Sequence, residues 1–235
     1  MPQIDCADQG PVTAEDVRQA VRLTVTALLE GVTADWDAPA GSLEWSCWDT
    51  VEHLSDDLFT YAAQLGPETP PLTTGVPFDY TRRQPGGPAD AIFTDPESGP
   101  TGLLQVLDVG GALLAAMVHT TPPSARAWHP FGVSDPEGFA AMGVVETLGH
   151  MHDAAEGLGL PWVPPSGLRA RVLRRLFRDV AVDAEPWPAL LWATGRTELP
   201  GRPRRSSRQW DGTLPHDSVP SPAGPPPHDA APAAP

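Results

Sequence analysis

Apolar residues recur at helical spacing in five stretches of the chain, and no stretch alternates in the way a half-buried strand would. The first helix is predicted over about 14–30. Val17, Ala20, Val21 and Leu28 share a face, Thr13 precedes it as an N-cap with Asp16 three residues on, and Gly31 can end it. The second is predicted over 49–65, with Asp49 as cap and Gly66-Pro67 as stop. Its apolar stripe is His53, Leu54, Leu58, Tyr61 and Leu65, and its polar face is Glu52, Ser55, Asp56 and Gln64. The third, about 101–118, is apolar nearly all round and should be buried; Gly110-Gly111 inside it would allow a close helix crossing. The fourth, 136–158, opens on Asp135-Pro136 and stops at Gly159. The fifth, 166–180, sets five arginines around Leu168, Val172, Leu173, Leu176 and Phe177, and a short apolar segment, 187–194, follows.

The pattern predicts an all-α protein whose body is 1–199, with a helical core at 13–160 and a C-terminal helical extension at 161–199. Residues 67–100 are rich in Pro and Gly and form a long loop, which in a compact domain is usually functional; within it, 76–80 suits a short extended piece. From Pro200 the composition collapses to Pro, Ser, Ala and Arg, ending in SVPSPAGPPPHDAAPAAP. Such a segment buries too little apolar surface to offset chain entropy, so 200–235 is expected to be a disordered tail.

Composition narrows the function. The net charge is −15, and all 15 basic residues are arginine. Residues 1–165 hold 5 Arg against 23 acidic residues, whereas 166–235 hold 10 against 7. An acidic body repels nucleic acid and anionic lipid, and the basic stretch is expected to pack against it. Two cysteines, Cys6 and Cys47, form no C-x-x-C pair, which argues against a cysteine-built zinc site. The first residues lack the basic start and apolar run of a signal peptide, and no stretch reads as the ~18 apolar residues of a membrane span. The expectation is a cytoplasmic protein without nucleic-acid or membrane partners. An arginine-rich chain without lysine or asparagine also points to a GC-rich, actinobacterial source.

The candidate chemistry lies on two helices. Glu146 and His150 are four apart and so stand one above the other on the apolar face of the fourth helix. His53 lies on the apolar stripe of the second. Inward residues from two helices can converge in a bundle core, a common way to build a metal site. Two imidazoles and a carboxylate suit a borderline divalent ion such as zinc, and three protein ligands leave a position open for water or a thiol. Spacing alone leaves two other arrangements open: His53 as a hydrogen-bonded core residue with Glu146 paired to an arginine of the fifth helix, or all three as a metal-free polar network.

Two motifs favour the metal site. The stretch SLEWSCWDTVEHLSDDL resembles the W-x(n)-D-V-x-x-H-L stretch of the DinB-like superfamily, and VVETLGHMHDAAEGLGL resembles the E-x-x-x-H-x-x-D-x-x-x-x-L-G pattern of one branch, the metal-binding N-terminal domain of the mycothiol-dependent maleylpyruvate isomerase family. The resemblance covers roughly 13–160, and WATGRTELPG near 191–201 is similar to the region that follows. It implies a DinB-like four-helix bundle, here with an additional C-terminal helix and a disordered Pro-rich tail. It also implies a metal held by the residues matching His53, Glu146 and His150, and thiol-dependent isomerase or transferase chemistry on an electrophilic substrate with mycothiol as cofactor or substrate. Some members carry a second domain where this chain has a basic helix and tail. The alternative function is a non-catalytic metal- or ligand-binding module on the same bundle.

The remaining candidates are assigned as follows. Asp153 is either a partner of a ligand imidazole or a helix-end residue, and Asp57 is expected to be solvated. His119, His129 and His152 are expected at the surface, and His216 and His228 in the tail. Cys47 is expected to be a small buried hydrophobe. Trp45, Trp48, Trp128 and Trp162 are expected to plug the ends of the bundle.

Overall fold

The computed structural model describes residues 10–180, 185–206 and 210–214. Among these residues six α-helices carry the fold: α1 Ala14–Leu29, α2 Cys47–Leu65, α3 Gly99–Thr120, α4 Pro136–Leu158, α5 Ser166–Leu176 and α6 Pro186–Ala193. Among the described residues there is no strand, only four isolated bridges, one of them pairing Thr81 with Asp90. The all-α expectation holds. The suggested extended piece at 76–80 forms no strand.

The helix ends follow local chemistry. Thr13 and Asp16 form a reciprocal capping box on α1. Asp135 caps α4 by accepting from the Gly138 amide, Pro136 occupies the first turn, and Gly159 closes the helix in the left-handed conformation. Helix α2 begins two residues earlier than its sequence suggested. Ser46 is the N-cap and Asp49 is its capping-box partner, so the expected cap is the third residue of the helix. Helix α5 stops at Leu176, four residues short of the expected end.

Both α1 and α2 pack on α3 and α4; α5 covers α4, and α6 covers α5. The glycine pair of α3 makes the crossings close. A Cβ on Gly110 would stand 3.0 Å from the Ser55 carbonyl on α2, and one on Gly111 only 2.7 Å from a Val21 methyl on α1. Helix α3 departs from expectation in one respect. Leu103, Leu104, Leu107, Leu114 and Ala115 are buried, but Val109 and Leu113 face outward. Residues Pro96–Thr120 also reach a mean hydropathy of 1.7 over eighteen residues, so by length and composition this segment could cross a membrane, contrary to the sequence-based expectation. A core helix meets the same criterion, and α3 is packed on α1, α2 and α4.

The polar face of α2 is the larger surprise. Glu52, Ser55, Asp56 and Gln64 are all buried, because the 67–100 loop folds over Glu52, Asp56 and Gln64 while Ser55 lies against Gly110 of α3. Glu52 accepts from Arg83 (2.7 and 3.1 Å) and from the Thr94 amide (2.8 Å). Asp56 accepts from the Ala91 and Ile92 amides at 2.9 Å each, and Gln64 accepts from the Val76 amide. The loop is tied down by acceptors that sequence alone assigns to solvent.

The packed chain continues past residue 200. Gly212 O accepts from Ser134 Oγ at 2.6 Å, and the Asp211 amide donates to the Leu176 carbonyl. Residues 210–214, which fall within the tail expected from 200 onward, are thus bonded to the bundle. Positions 215–235, with His216 and His228, lie outside the described residues, as does Cys6.

Candidate metal centre and pocket

Helices α2 and α4 bring His53 and His150 to one place, with ring centroids 5.7 Å apart and planes nearly perpendicular. Glu146, one turn before His150, sets Oε2 3.3 Å from His150 Nε2. Burial raises the Glu146 carboxyl, but the hydrogen bond and charge of His150, with Arg196 and His53 behind, outweigh it and hold the group below the usual carboxylate range. The Tyr61 hydroxyl reaches Glu146 Oε1 at 3.5 Å.

The tightest cluster of donor atoms takes Asp57, not Glu146, as its carboxylate. One donor atom each from His53, Asp57 and His150 lie within 4.8 Å of one another. Asp57 Oδ2 is 3.8 Å from His53 Nε2, and its side chain is only 17% exposed. It was expected to be solvated; one helical turn beyond His53, it instead faces the same space. Ligands at 2.0–2.2 Å around a tetrahedral ion stand roughly 3.4 Å apart. The donor set thus fits a borderline divalent ion after a small contraction of side chains.

His53 is oriented from behind. Its Nδ1 lies 2.6 Å from Oδ1 of Asp90, which is 1% exposed and belongs to the long loop. A carboxylate on the far nitrogen fixes the imidazole tautomer and turns Nε2 toward the site, the usual support of a ligating histidine. His150 has a comparable neighbour, Asp153 Oδ2 at 3.7 Å from Nδ1. Asp153 is buried and held by three hydrogen bonds from Arg196 (3.1, 3.1 and 2.7 Å), so it stands beside the His150 imidazole instead of capping the helix. Trp45 shields the pair, edge-on to His53 at 5.0 Å and stacked on His150 at 6.5 Å.

The site forms one end of a cavity of about 780 Å³. From Tyr61, beside Glu146, ring contacts lead through Phe139, His129 and Phe131 to Trp210 along the cavity, and Trp128 completes the lining. Trp45 and Trp128 therefore line a pocket where plugs of the bundle ends were expected. His129, expected at the surface, is buried and stacked on Trp210, and burial pushes its imidazole down to about 4. His152, expected to be exposed, is half-buried against Trp187 and turned away from the site. His119 is exposed and Cys47 fully buried, both as expected; burial raises the Cys47 thiol to about 11. Two of the α5 arginines pair with the acidic body, Arg171 with Asp16 and Arg175 with Asp135.

The sequence model of the mycothiol maleylpyruvate isomerase N-terminal domain matches residues 17–155, more than half of the chain. The chain belongs to this family. No curated protein and no solved structure gave a match. The matched region spans α1 to α4 and contains His53, Asp57, Asp90, Glu146 and His150, whereas Arg196 and Trp210 lie beyond it. Neither Asp90 nor Arg196 was singled out from sequence. Asp90 sits in a loop without periodicity, and the only hint of Arg196 was its place in the WATGRTELPG stretch.

Proposed function

We propose that this member of the mycothiol maleylpyruvate isomerase N-terminal domain family binds one divalent ion, zinc by donor preference, and joins a low-molecular-weight thiol, mycothiol, to an electrophile in the adjoining pocket. The observation that carries this is the convergence of His53, Asp57 and His150, with Glu146 against His150, in the lining of a 780 Å³ cavity. His53 and His150 with Glu146 would hold the ion, as the family resemblance implies. Bound there, zinc would supply Lewis acidity that lowers the pKa of a coordinated thiol. Asp90 holds His53 in one tautomer. Asp57, the carboxylate left over, is placed to accept the thiol proton. Tyr61 steadies Glu146 from the pocket side. The buried, unpaired Cys47 agrees with a reducing, cytoplasmic setting.

A second reading rests on the same Asp57. If Asp57 joins the other three residues on the ion, coordination is saturated and the bundle is a non-catalytic metal-binding module. Elemental analysis of the wild type, His53→Ala, Glu146→Ala and His150→Ala tests the shared premise, with about one ion per chain expected in the wild type and loss in each variant. A wild type without metal after reconstitution overturns both readings. Cobalt substitution separates them, since added thiol shifts the visible absorption of an open site and leaves a saturated one unchanged.

A further inference from the structure

The pocket is chemically divided, and its far end says what the thiol meets. The inference rests on the metal–thiol reading for its chemistry but on different residues for its evidence. Against the metal end stand three carboxylates, Asp56, Asp57 and Glu146. The only guanidinium or ammonium lining the cavity, among the described residues, is that of Arg196, and it is engaged three times by Asp153. His129 offers no cation either. Its Nδ1 accepts from the Phe131 amide at 3.1 Å while its ring is stacked on Trp210, so the ring is neutral in this arrangement. A dicarboxylate such as maleylpyruvate would meet these three carboxylates with, among the described residues, no free guanidinium against them and only the bound ion's two positive charges in the site, a costly arrangement in a desolvated cleft.

What the far end does offer is ring surface. Phe131 and Trp210 meet edge to face at 5.0 Å, and His129 stacks on Trp210 at 5.8 Å. Trp128 packs its six-membered ring over Gly75, where a Cβ would stand 3.5 Å away. The 780 Å³ volume suits a molecule of drug size.

We propose that the thiol's partner in this pocket is a flat, aryl-bearing electrophile without carboxylates, seated on Trp128, Phe131 and Trp210 with its reactive carbon toward His53 and His150. For an aryl enone the step balances with the two reactants alone. The sulfur bonds to the β-carbon, the C=C π pair moves to the α-carbon, and that carbon takes up the proton the thiol released. One adduct forms, and neither an oxidant nor a leaving group is required.

Calorimetric titration of the protein as purified, with benzylideneacetone as the aryl probe and maleate as the diacid, tests this without turnover. The aryl ketone should bind at least about tenfold more tightly than maleate, and Trp128→Ala and Trp210→Leu should each weaken it about three- to tenfold, the worth of one aromatic pair. Maleate binding as tightly as the ketone overturns the proposal. So does unchanged ketone binding in variants that melt like the wild type, which would leave the wall to the thiol's sugars. If both variants fail to fold, the wild-type preference alone decides. Metal content measured on the same samples keeps the readings apart: ketone binding by a metal-free chain sinks the thiol chemistry and keeps the pocket assignment, and metal without ketone binding does the reverse.

Discussion

His53 shows how a single side chain acquires a role from what stands behind it. An imidazole on an apolar stripe can belong to any core. What distinguishes this one is the 2.6 Å contact from Nδ1 to a carboxylate that is 1% exposed. Replacing Asp90 with Ala frees the ring to turn and change tautomer, and zinc affinity should fall about 10- to 100-fold. Asp90→Asn, which keeps an oxygen acceptor, should lose less. Competition against a chromophoric chelator measures the affinity, and the melting temperature of the metal-stripped variants removes any effect on folding. Equal affinity in wild type and Asp90→Ala would reduce Asp90 to a loop anchor. The histidines and Glu146 could be proposed from sequence because they lie on periodic helices, where spacing gives direction. Asp90 could not, since it is 37 residues from its partner in a loop without period. Asp57 was misassigned for another reason: one turn beyond His53 it had the right direction, but acidic residues are usually solvated.

The same limit appears across whole elements. Helices α1 and α4 were legible to within a residue because Thr13, Asp135 and Gly159 are strong local signals. The environment of α2 was not, because amphipathicity separates polar from apolar residues without saying whether the polar face meets water or chain. Here it meets the 67–100 loop, and Glu52 is the main tie. Its removal leaves Arg83 and the Thr94 amide without their shared acceptor. Because Arg83 is one-third exposed, solvent recovers part of the loss, and Glu52→Ala should cost about 2 kcal/mol. Urea denaturation should show a lower midpoint at unchanged slope. The loop that loosens is the one carrying Asp90, so metal affinity should fall as well. A variant with full stability would mean the ties are surface contacts of little worth.

At the scale of the molecule the question is where the folded chain ends. Composition puts the boundary at residue 200, yet Trp210 supplies pocket wall and 211–213 bond to the bundle. The buried Arg175 anchors this segment, donating to Asp135 Oδ1 and to the Thr213 carbonyl, both at 3.0 Å. A chain ended after residue 199 strips that guanidinium of its carbonyl acceptors, frees Ser134 Oγ from Gly212 O, and uncovers the stacked face of His129. A chain ended after residue 214 keeps every one of these contacts. The longer truncation product should therefore melt with the full-length protein, whereas the shorter should melt several degrees lower, as expected when a buried charge loses part of its partners. Arg175→Met in the full-length chain should fall between the two, since it removes the anchor and the uncompensated charge together. Identical melting of the 199- and 214-residue chains would return the boundary to residue 200 and make the C-terminal contacts dispensable. A difference between them would show that a segment of turn-like composition, read from sequence as tail, is held in place by one buried arginine and completes the pocket.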